Sequence, residues 1–332
     1  MSLSRWLIPM LAVVALAPAH AWNPEGHRVV GALAGRLLAG SHAAAEVGSL
    51  LGSLSLADAS VWADCVKGVD PDTLQYERGR YPECVVFETA QGEAEMVDFV
   101  RRNARNCVIK PGEEVCHRQY HYADVAIQRD AYRPGLIGTR DDDVVAAIVA
   151  TTRVLKGDPA PAPFRIAGKR EALLLLTHYV GDIHQPLHVG AVYLDAQGNR
   201  VDPDTRPFEP GTATRGANSI RVLPGTRQNL HATWDAIPRR MTEEHLSSAW
   251  IAAAAAVPPT RGPELAWPVQ WASESVREAR LALDGLRFGP RQDGHWTVRL
   301  PAGYSRSMSA RKKSELTRAG ARLAQLLRDI WP

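Results

Sequence analysis

The segment that decides the fold lies in the middle of the chain, where residues 170–188 read Arg170-Glu-Ala-Leu-Leu-Leu-Leu-Thr-His-Tyr-Val-Gly-Asp-Ile-His-Gln-Pro-Leu-His188. Four consecutive leucines make its first part apolar on every side, which is typical of a buried helix. Because the residue before a proline is driven away from helical geometry, we expect this central helix to span 170–183 and to end before Pro186. Within it, His178 and Asp182 are four residues apart, so their side chains share one helix face.

Apolar residues recur at helical spacing along much of the remaining chain. Further helices are predicted over 25–38, 93–105, 141–155, 264–286 and 309–330. The stretch from Pro186 to Asn229 is rich in Gly, Pro, Asp and Thr, and residues 192–194 and 219–222 are candidates for short strands of a hairpin-like excursion. The sequence shows no internal repeat and no clear linker. It therefore predicts a single all-α domain with long loops and a short β-hairpin.

Composition narrows the class of protein. The chain has 332 residues, of which 45% are hydrophobic and 23% charged, as in ordinary globular proteins. Its 39 Lys+Arg against 36 Asp+Glu give a formal charge of +3, and this balance argues against a protein that coats long stretches of nucleic acid. An enzyme or a binding protein remains.

The first twenty-one residues have the pattern of a secretory signal peptide. Arg5 precedes an apolar run over 6–17 that is too short to span a bilayer, and Ala19-His20-Ala21 is a small-x-small cleavage site. An uncleaved anchor or a buried helix is the alternative. We expect cleavage before Trp22, which leaves residues 22–332 as one exported domain, periplasmic or extracellular, monomeric and without a membrane anchor.

Export to an oxidising compartment indicates that the cysteines form disulfides. The chain has four cysteines, at positions 65, 84, 107 and 116, and an even number in an oxidising compartment indicates two disulfides. Three pairings are possible, and the sequential one, Cys65–Cys84 with Cys107–Cys116, closes the shortest loops. A cysteine-based zinc site is the alternative, but no C-x-x-C spacing supports it.

Histidines and aspartates occur in patterns suited to metal binding. His231 and Asp235 repeat the four-residue spacing of the central helix, and His188 follows Pro186, where it can point back to a neighbouring ion. Imidazole and carboxylate ligands without thiolate suit zinc, and open coordination positions suit hydrolysis. His117 precedes His121 by four residues, so either could face a metal.

These motifs together resemble one known family. Trp22-Asn-Pro-Glu-Gly-His27, Trp62-Ala-Asp64, His121-Tyr-Ala-Asp124, the segment 178–188 and Asn229-Leu-His-Ala-Thr-Trp-Asp235 follow one another as in the tri-zinc single-strand nucleases, or 3'-nucleotidases. This family is related to bacterial zinc phospholipase C. The resemblance implies a secreted, all-α phosphodiesterase with three Zn²⁺ ions per chain, and it favours His121 over His117.

Carried over motif by motif, the resemblance implies three ligand sets. The first ion would be held by Asp64, His121, His178 and Asp182. The second would share Asp182 and add His27 with the amino nitrogen and carbonyl oxygen of Trp22. The third would be held by His188, His231 and Asp235. Asp64 would also act in catalysis by orienting the attacking water or accepting its proton.

Three residues are predicted to contact substrate. Lys67 stands where the family has a basic residue facing the phosphate, Tyr122 where it has an aromatic that stacks on a base, and Asp124 where it offers a carboxylate to the base edge. The alternatives are a surface lysine, a core tyrosine and a capping aspartate. His184 and Asn218 are assigned structural roles around the ligands.

The resemblance implies an endonuclease that cleaves single-stranded DNA and RNA to 5'-phosphate products and has 3'-nucleotidase activity. A zinc phospholipase C is the alternative enzyme, although those bacterial enzymes carry Glu at the motif position of Asp235. A non-catalytic exported zinc-binding protein is the alternative from another class. One departure from the family is the 57-residue separation of Asp64 and His121, an insertion that contains the four cysteines and leaves substrate preference open.

Overall fold

The computed structural model describes residues 22–110, 113–205, 207–224 and 228–332. The predicted signal peptide, residues 1–21, lies outside the described residues. The helices are α1 (Pro24–Leu38), α2 (His42–Leu51), α3 (Leu56–Ala59), α4 (Trp62–Cys65), α5 (Ala90–Asn103), α6 (Cys116–Gln119), α7 (Val144–Lys156), α8 (Lys169–Ile183), α9 (Leu230–Asp235), α10 (Ser248–Ala255), α11 (Trp267–Leu283) and α12 (Tyr304–Ile330). The strands are β1 (Val125–Ala126), β2 (Gly190–Ala191), β3 (Tyr193–Leu194), β4 (Arg200–Val201), β5 (Ile220–Leu223) and β6 (Trp296–Arg299). The all-α prediction is confirmed.

Helix α8 is the centre of the fold. Its four leucines are no more than 2% exposed, and it packs against α7, α1 and α12, as expected for a helix that is apolar all round. The helix ends at Ile183, and a short 3₁₀ turn, Pro186–His188, follows it. The predicted central helix is therefore confirmed to within one residue.

Local signals set the ends of several other helices. The Asn23 side chain accepts a hydrogen bond from Gly26 N–H at the start of α1, and Pro24 occupies the first turn, where its missing N–H costs nothing. The Asp143 side chain accepts from Val145 and Ala146 at the start of α7. The sequence pattern predicts neither α2 nor α10. The alanine-rich sequence of α10 is apolar on most sides and gives a weak helical period.

The strands correct one sequence prediction. Tyr193–Leu194 does form a hairpin, but its partner is Arg200–Val201 rather than residues 219–222. Gly198, at φ +88°, provides the left-handed residue that a tight reversal needs. Strand β5 instead pairs in parallel with β6, which comes after α11.

Two disulfide bonds form closed loops in the segment between Asp64 and His121. The disulfides are Cys65–Cys84 and Cys107–Cys116, which confirms the sequential pairing. The first begins one residue after Asp64, and the second ends five residues before His121. Among the described residues, no helix has both the length and the apolar character to cross a bilayer.

Candidate metal centre

Helix α8 supplies the two side chains on which the centre is built. His178 and Asp182 are both fully buried, and His178 Nε2 lies 3.2 Å from Asp182 Oδ2. The predicted sharing of one helix face is therefore confirmed. Around this pair, neighbouring elements place further histidines and aspartates within ligand distance of one another in three groups: His27 with His178 and Asp182, Asp64 with His121 and His178, and His188 with His231 and Asp235.

The first group joins α8 to two separate elements. His121, which follows α6, places Nδ1 2.9 Å from Asp182 Oδ2 and 3.1 Å from His178 Nε2. Asp64 comes from α4, and its Oδ1 lies 3.7 Å from His178 Nε2. Two nitrogens bound to one tetrahedral zinc ion at about 2.0–2.1 Å lie roughly 3.3 Å apart. The observed separations therefore match ligands that converge on one ion.

The second group brings the beginning of the described chain against α8. His27 Nε2 lies 3.5 Å from Asp182 Oδ1, and its ring stacks on His178 with centroids 3.8 Å apart. The Trp22 side chain is fully buried, and its indole Nε1 donates to Gly181 O at 3.0 Å. Trp22 is thus fixed next to the residue that precedes Asp182.

The third group joins the 3₁₀ turn after α8 to helix α9. His188 Nε2 and His231 Nε2 are 3.1 Å apart, and His231 Nε2 lies 3.5 Å from Asp235 Oδ2. His231 and Asp235 share one face of α9, as their spacing predicts. At the end of α9, Lys312 Nζ from α12 donates to Thr233 O and Ala236 O, which anchors this short helix.

The histidines are oriented to present nitrogen lone pairs inward. His178, His188 and His231 each place Nδ1 within 2.9 Å of a backbone carbonyl, those of Ser60, His121 and Gly216. A carbonyl only accepts, so Nδ1 must carry the hydrogen and Nε2 is the atom that faces the other ligands. The close approach of the His188 and His231 Nε2 atoms therefore favours a cation between them.

Unsatisfied atoms and shifted pKa values support the same conclusion. Both His27 ring nitrogens and Asp182 Oδ1 are buried without a hydrogen-bond partner, which is costly unless another group binds them. Burial lowers the pKa of His27 and of His121 to about 3, so both rings are neutral, the form that binds metal. Burial raises the pKa of Asp182, because a carboxylate charge is poorly solvated there. The donor set fits metal ions.

Comparison with known proteins identifies the relatives of this chain. Residues 22–332 match the family model described as S1/P1 Nuclease. The chain belongs to the S1/P1 nuclease family. It is 25% identical to Endonuclease 1 of Arabidopsis thaliana over 218 residues, which are 64% of this chain and 68% of that protein. It is 28% identical to Endonuclease 3 of the same plant over 183 residues, 48% of this chain and 51% of that protein. Members of this family are metal-dependent nucleases that hydrolyse phosphodiester bonds.

The three predicted substrate residues of this nuclease lie beside the centre. Lys67 is 6% exposed, and its Nζ lies 2.6 Å from Asp64 Oδ1. Burial alone would lower the pKa of Lys67, but the Asp64 carboxylate raises it above its ordinary value, so the amine stays charged. Tyr122 follows His121 directly, Asp124 lies three residues after His121, and both side chains are half-buried.

Some residues around the centre were not predicted, and others behave as expected. Gln185 donates from Nε2 to Asp235 Oδ1 at 2.7 Å, a contact with no signal in the local sequence because the two residues are far apart in the chain. His117 packs edge-on against Phe99 and belongs to none of the three ligand groups. His184 is buried, and its Nε2 accepts a hydrogen bond from Arg322 Nη1 at 3.0 Å, which agrees with a structural role.

Proposed function

We propose that this nuclease is a secreted zinc enzyme that cleaves single-stranded DNA and RNA to 5'-phosphate products and also hydrolyses 3'-nucleotides. The observation that carries the proposal is the convergence of three buried His/Asp groups at one end of α8, in a chain of the S1/P1 nuclease family. Neutral imidazoles and carboxylates without thiolate are the ligands of catalytic rather than structural zinc.

The proposed centre holds three zinc ions in the ligand sets implied by the sequence motifs. Asp64, His121, His178 and Asp182 would hold one ion, and Asp182 would be shared with a second. That second ion would add His27 and the amine and carbonyl of Trp22. The third would take His188, His231 and Asp235. The anchoring of the Trp22 indole on Gly181 O supports the place of the amino terminus in this assignment.

In the proposed reaction, the residues of the chain orient water and phosphate around the metals. When bound, zinc ions would activate a water molecule and stabilise charge on the leaving oxygen. Asp64, held by Lys67 through a 2.6 Å ion pair, would orient the water or accept its proton. The charged Lys67 amine would attract the phosphate. No covalent intermediate is required.

The preference for single strands would come from stacking. An aromatic ring at Tyr122 can stack on any base that is not already paired, which favours single strands without favouring a sequence. The Asp124 carboxylate would accept hydrogen bonds from the edge of that base. Both residues follow His121, so a base bound there would place its phosphate near the centre.

Export is part of the proposal, because the amine of Trp22 becomes available only after the signal peptide is removed. The two disulfides fit an oxidising compartment. We propose that the mature enzyme is residues 22–332, a single monomeric domain, periplasmic or extracellular.

One assay separates this function from its alternatives. The purified mature protein is tested with and without chelator on single-stranded DNA, on 3'-AMP and on phosphatidylcholine. We expect hydrolysis of the first two, lost with chelator and restored by zinc. Chelator-sensitive hydrolysis of phosphatidylcholine alone would indicate a phospholipase, and bound zinc without any activity would indicate a binding protein. Either result would overturn the proposal.

A further inference from the structure

We infer that Gln185 is a positioning residue of the metal centre, whose amide fixes the orientation of Asp235 and links it to the turn that carries His188. This inference rests on the proposed three-zinc centre. It extends that proposal by naming a residue that would contact no metal and would still control the affinity of the third zinc site.

The backbone of Gln185 joins helix α8 to the turn after it. Its N–H donates to Asp182 O at 2.9 Å, and its carbonyl accepts from His188 N–H at 2.9 Å. One residue therefore connects the main chains of two proposed ligands. A change in its conformation would move His188 relative to Asp182.

The side chain of Gln185 makes two further hydrogen bonds. The first determines where the amide oxygen lies, and therefore which group of the amide faces Asp235. The Leu187 N–H donates to Oε1 at 2.7 Å, and because a backbone N–H can only donate, the amide oxygen must lie on that side. The NH₂ group is then directed at Asp235 Oδ1, 2.7 Å away. The Gln185 side chain is fully buried, so no solvent molecule competes for this orientation.

Because of the hydrogen bond from Gln185, the two carboxylate oxygens of Asp235 have different partners. Oδ1 accepts from Gln185, whereas Oδ2 is the oxygen near His231 Nε2, at 3.5 Å. Because Oδ1 is held in this way, the carboxylate has one preferred orientation about its Cβ–Cγ bond, in which Oδ2 faces His231. Partners of this kind that hold a metal ligand in place change metal affinity by about 10- to 100-fold when they are removed.

Two substitutions separate this role from general support of the fold. Gln185→Glu keeps the size of the side chain and an oxygen for Leu187 N–H, but it replaces the donor that faces Asp235 with a second acceptor. Gln185→Ala removes both contacts. The matched control is Asn103→Ala, which removes another fully buried amide, one that donates to Phe99 O and Arg165 O and contacts none of the proposed ligands.

The measurement is zinc retained per chain after dialysis against buffers of graded free zinc, with circular dichroism to follow folding. We expect both Gln185 variants to stay folded, to keep two ions as tightly as the wild type and to bind one ion 10- to 100-fold more weakly. Excess zinc should restore their activity. Asn103→Ala should lower the melting temperature and leave all zinc affinities unchanged.

Two results would overturn the inference. Wild-type zinc affinity in both Gln185 variants would show that the amide does not position Asp235. Loss of all three ions together with loss of helical signal would show that Gln185 serves the fold alone. If the wild-type chain itself retains no zinc, the proposed function fails, and this inference fails with it for a reason that the assay identifies.

Discussion

At the scale of single residues, the centre depends on which atom each side chain turns inward. His178, His188 and His231 have their Nδ1 hydrogens directed to backbone carbonyls, so the protein fixes the tautomer before any ion binds. Asp64 is held differently, by the ammonium group of Lys67. Main-chain carbonyls determine which ring nitrogen of these histidines carries the hydrogen, whereas the charged side chain of Lys67 orients the Asp64 carboxylate.

Lys67→Met should separate catalysis from metal binding. Because Lys67 is a partner of Asp64 and not a proposed ligand, the variant should retain its zinc while kcat/KM on single-stranded DNA falls at least tenfold, or about 1.4 kcal/mol. Lys67→Arg should recover part of this loss. The exposed Lys169 provides the control, and Lys169→Met should leave kcat/KM unchanged. A wild-type rate for Lys67→Met would restrict Lys67 to a structural role.

At the scale of elements, the site requires that α1 and α8 approach closely. Gly181 makes this possible, because a Cβ atom at that position would lie 2.7 Å from His27 Nδ1, closer than packed side chains allow. Asp182 is the next residue in the chain. Any displacement of His27 would therefore disturb its contacts with His178 and Asp182, the other two members of the second group.

Gly181→Ala should therefore destabilise the fold and weaken zinc binding. Overpacking of this kind costs about 1–3 kcal/mol, measured by urea unfolding, and we expect one zinc ion to bind more weakly. Gly35→Ala is the matched control, since Gly35 lies on the exposed face of α1 with open space around it. That variant should gain about 0.5–1 kcal/mol. Equal stability of the two variants would contradict the close packing of α1 and α8.

The disulfides stabilise the elements between Asp64 and His121. Their closed loops have sequence separations of 19 and 9 residues, and loop-closure entropy gives a stabilisation of about 3.3 and about 2.7 kcal/mol. The double serine variant of Cys65 and Cys84 should lose more stability in chemical denaturation than that of Cys107 and Cys116. It should also lose more activity, because Cys65 adjoins Asp64. The reverse order of stability would contradict this account.

At the scale of the whole molecule, net charge is a poor guide to substrate. The formal charge of +3 argues against coating long nucleic acid but not against cleaving it. Three Zn²⁺ ions with Asp64, Asp182 and Asp235 would leave about +3 at the centre before solvent ligands are counted. The attraction for phosphate would come from the metals, with Lys67 beside them.

The length of the chain at its amino terminus should control activity. If the Trp22 amine is a ligand, one extra alanine before Trp22 should reduce bound zinc and remove most nuclease activity. One extra alanine after Pro332 is the control and should change neither quantity. Full zinc content and activity in the amino-terminal variant would exclude the amine as a ligand.

The sequence could predict the parts of the site that lie within single motifs. The four-residue spacing of His178 and Asp182, the leucine-rich core of α8 and the nearest-neighbour disulfide pairing depend on local geometry, and all are confirmed. The contact of Gln185 with Asp235, 50 residues away, and the pairing of β5 with β6 depend on tertiary packing, for which a single sequence has no periodic signal. The contacts of Tyr122 and Asp124 with substrate stay predictions.

The most direct test of the three-zinc centre is anomalous diffraction from crystals of residues 22–332, recorded on both sides of the zinc absorption edge. The account predicts three peaks: one among Asp64, His121, His178 and Asp182, one beside His27 and Trp22, and one among His188, His231 and Asp235. Fewer than three zinc peaks in fully zinc-loaded crystals, or peaks away from these residues, would contradict it.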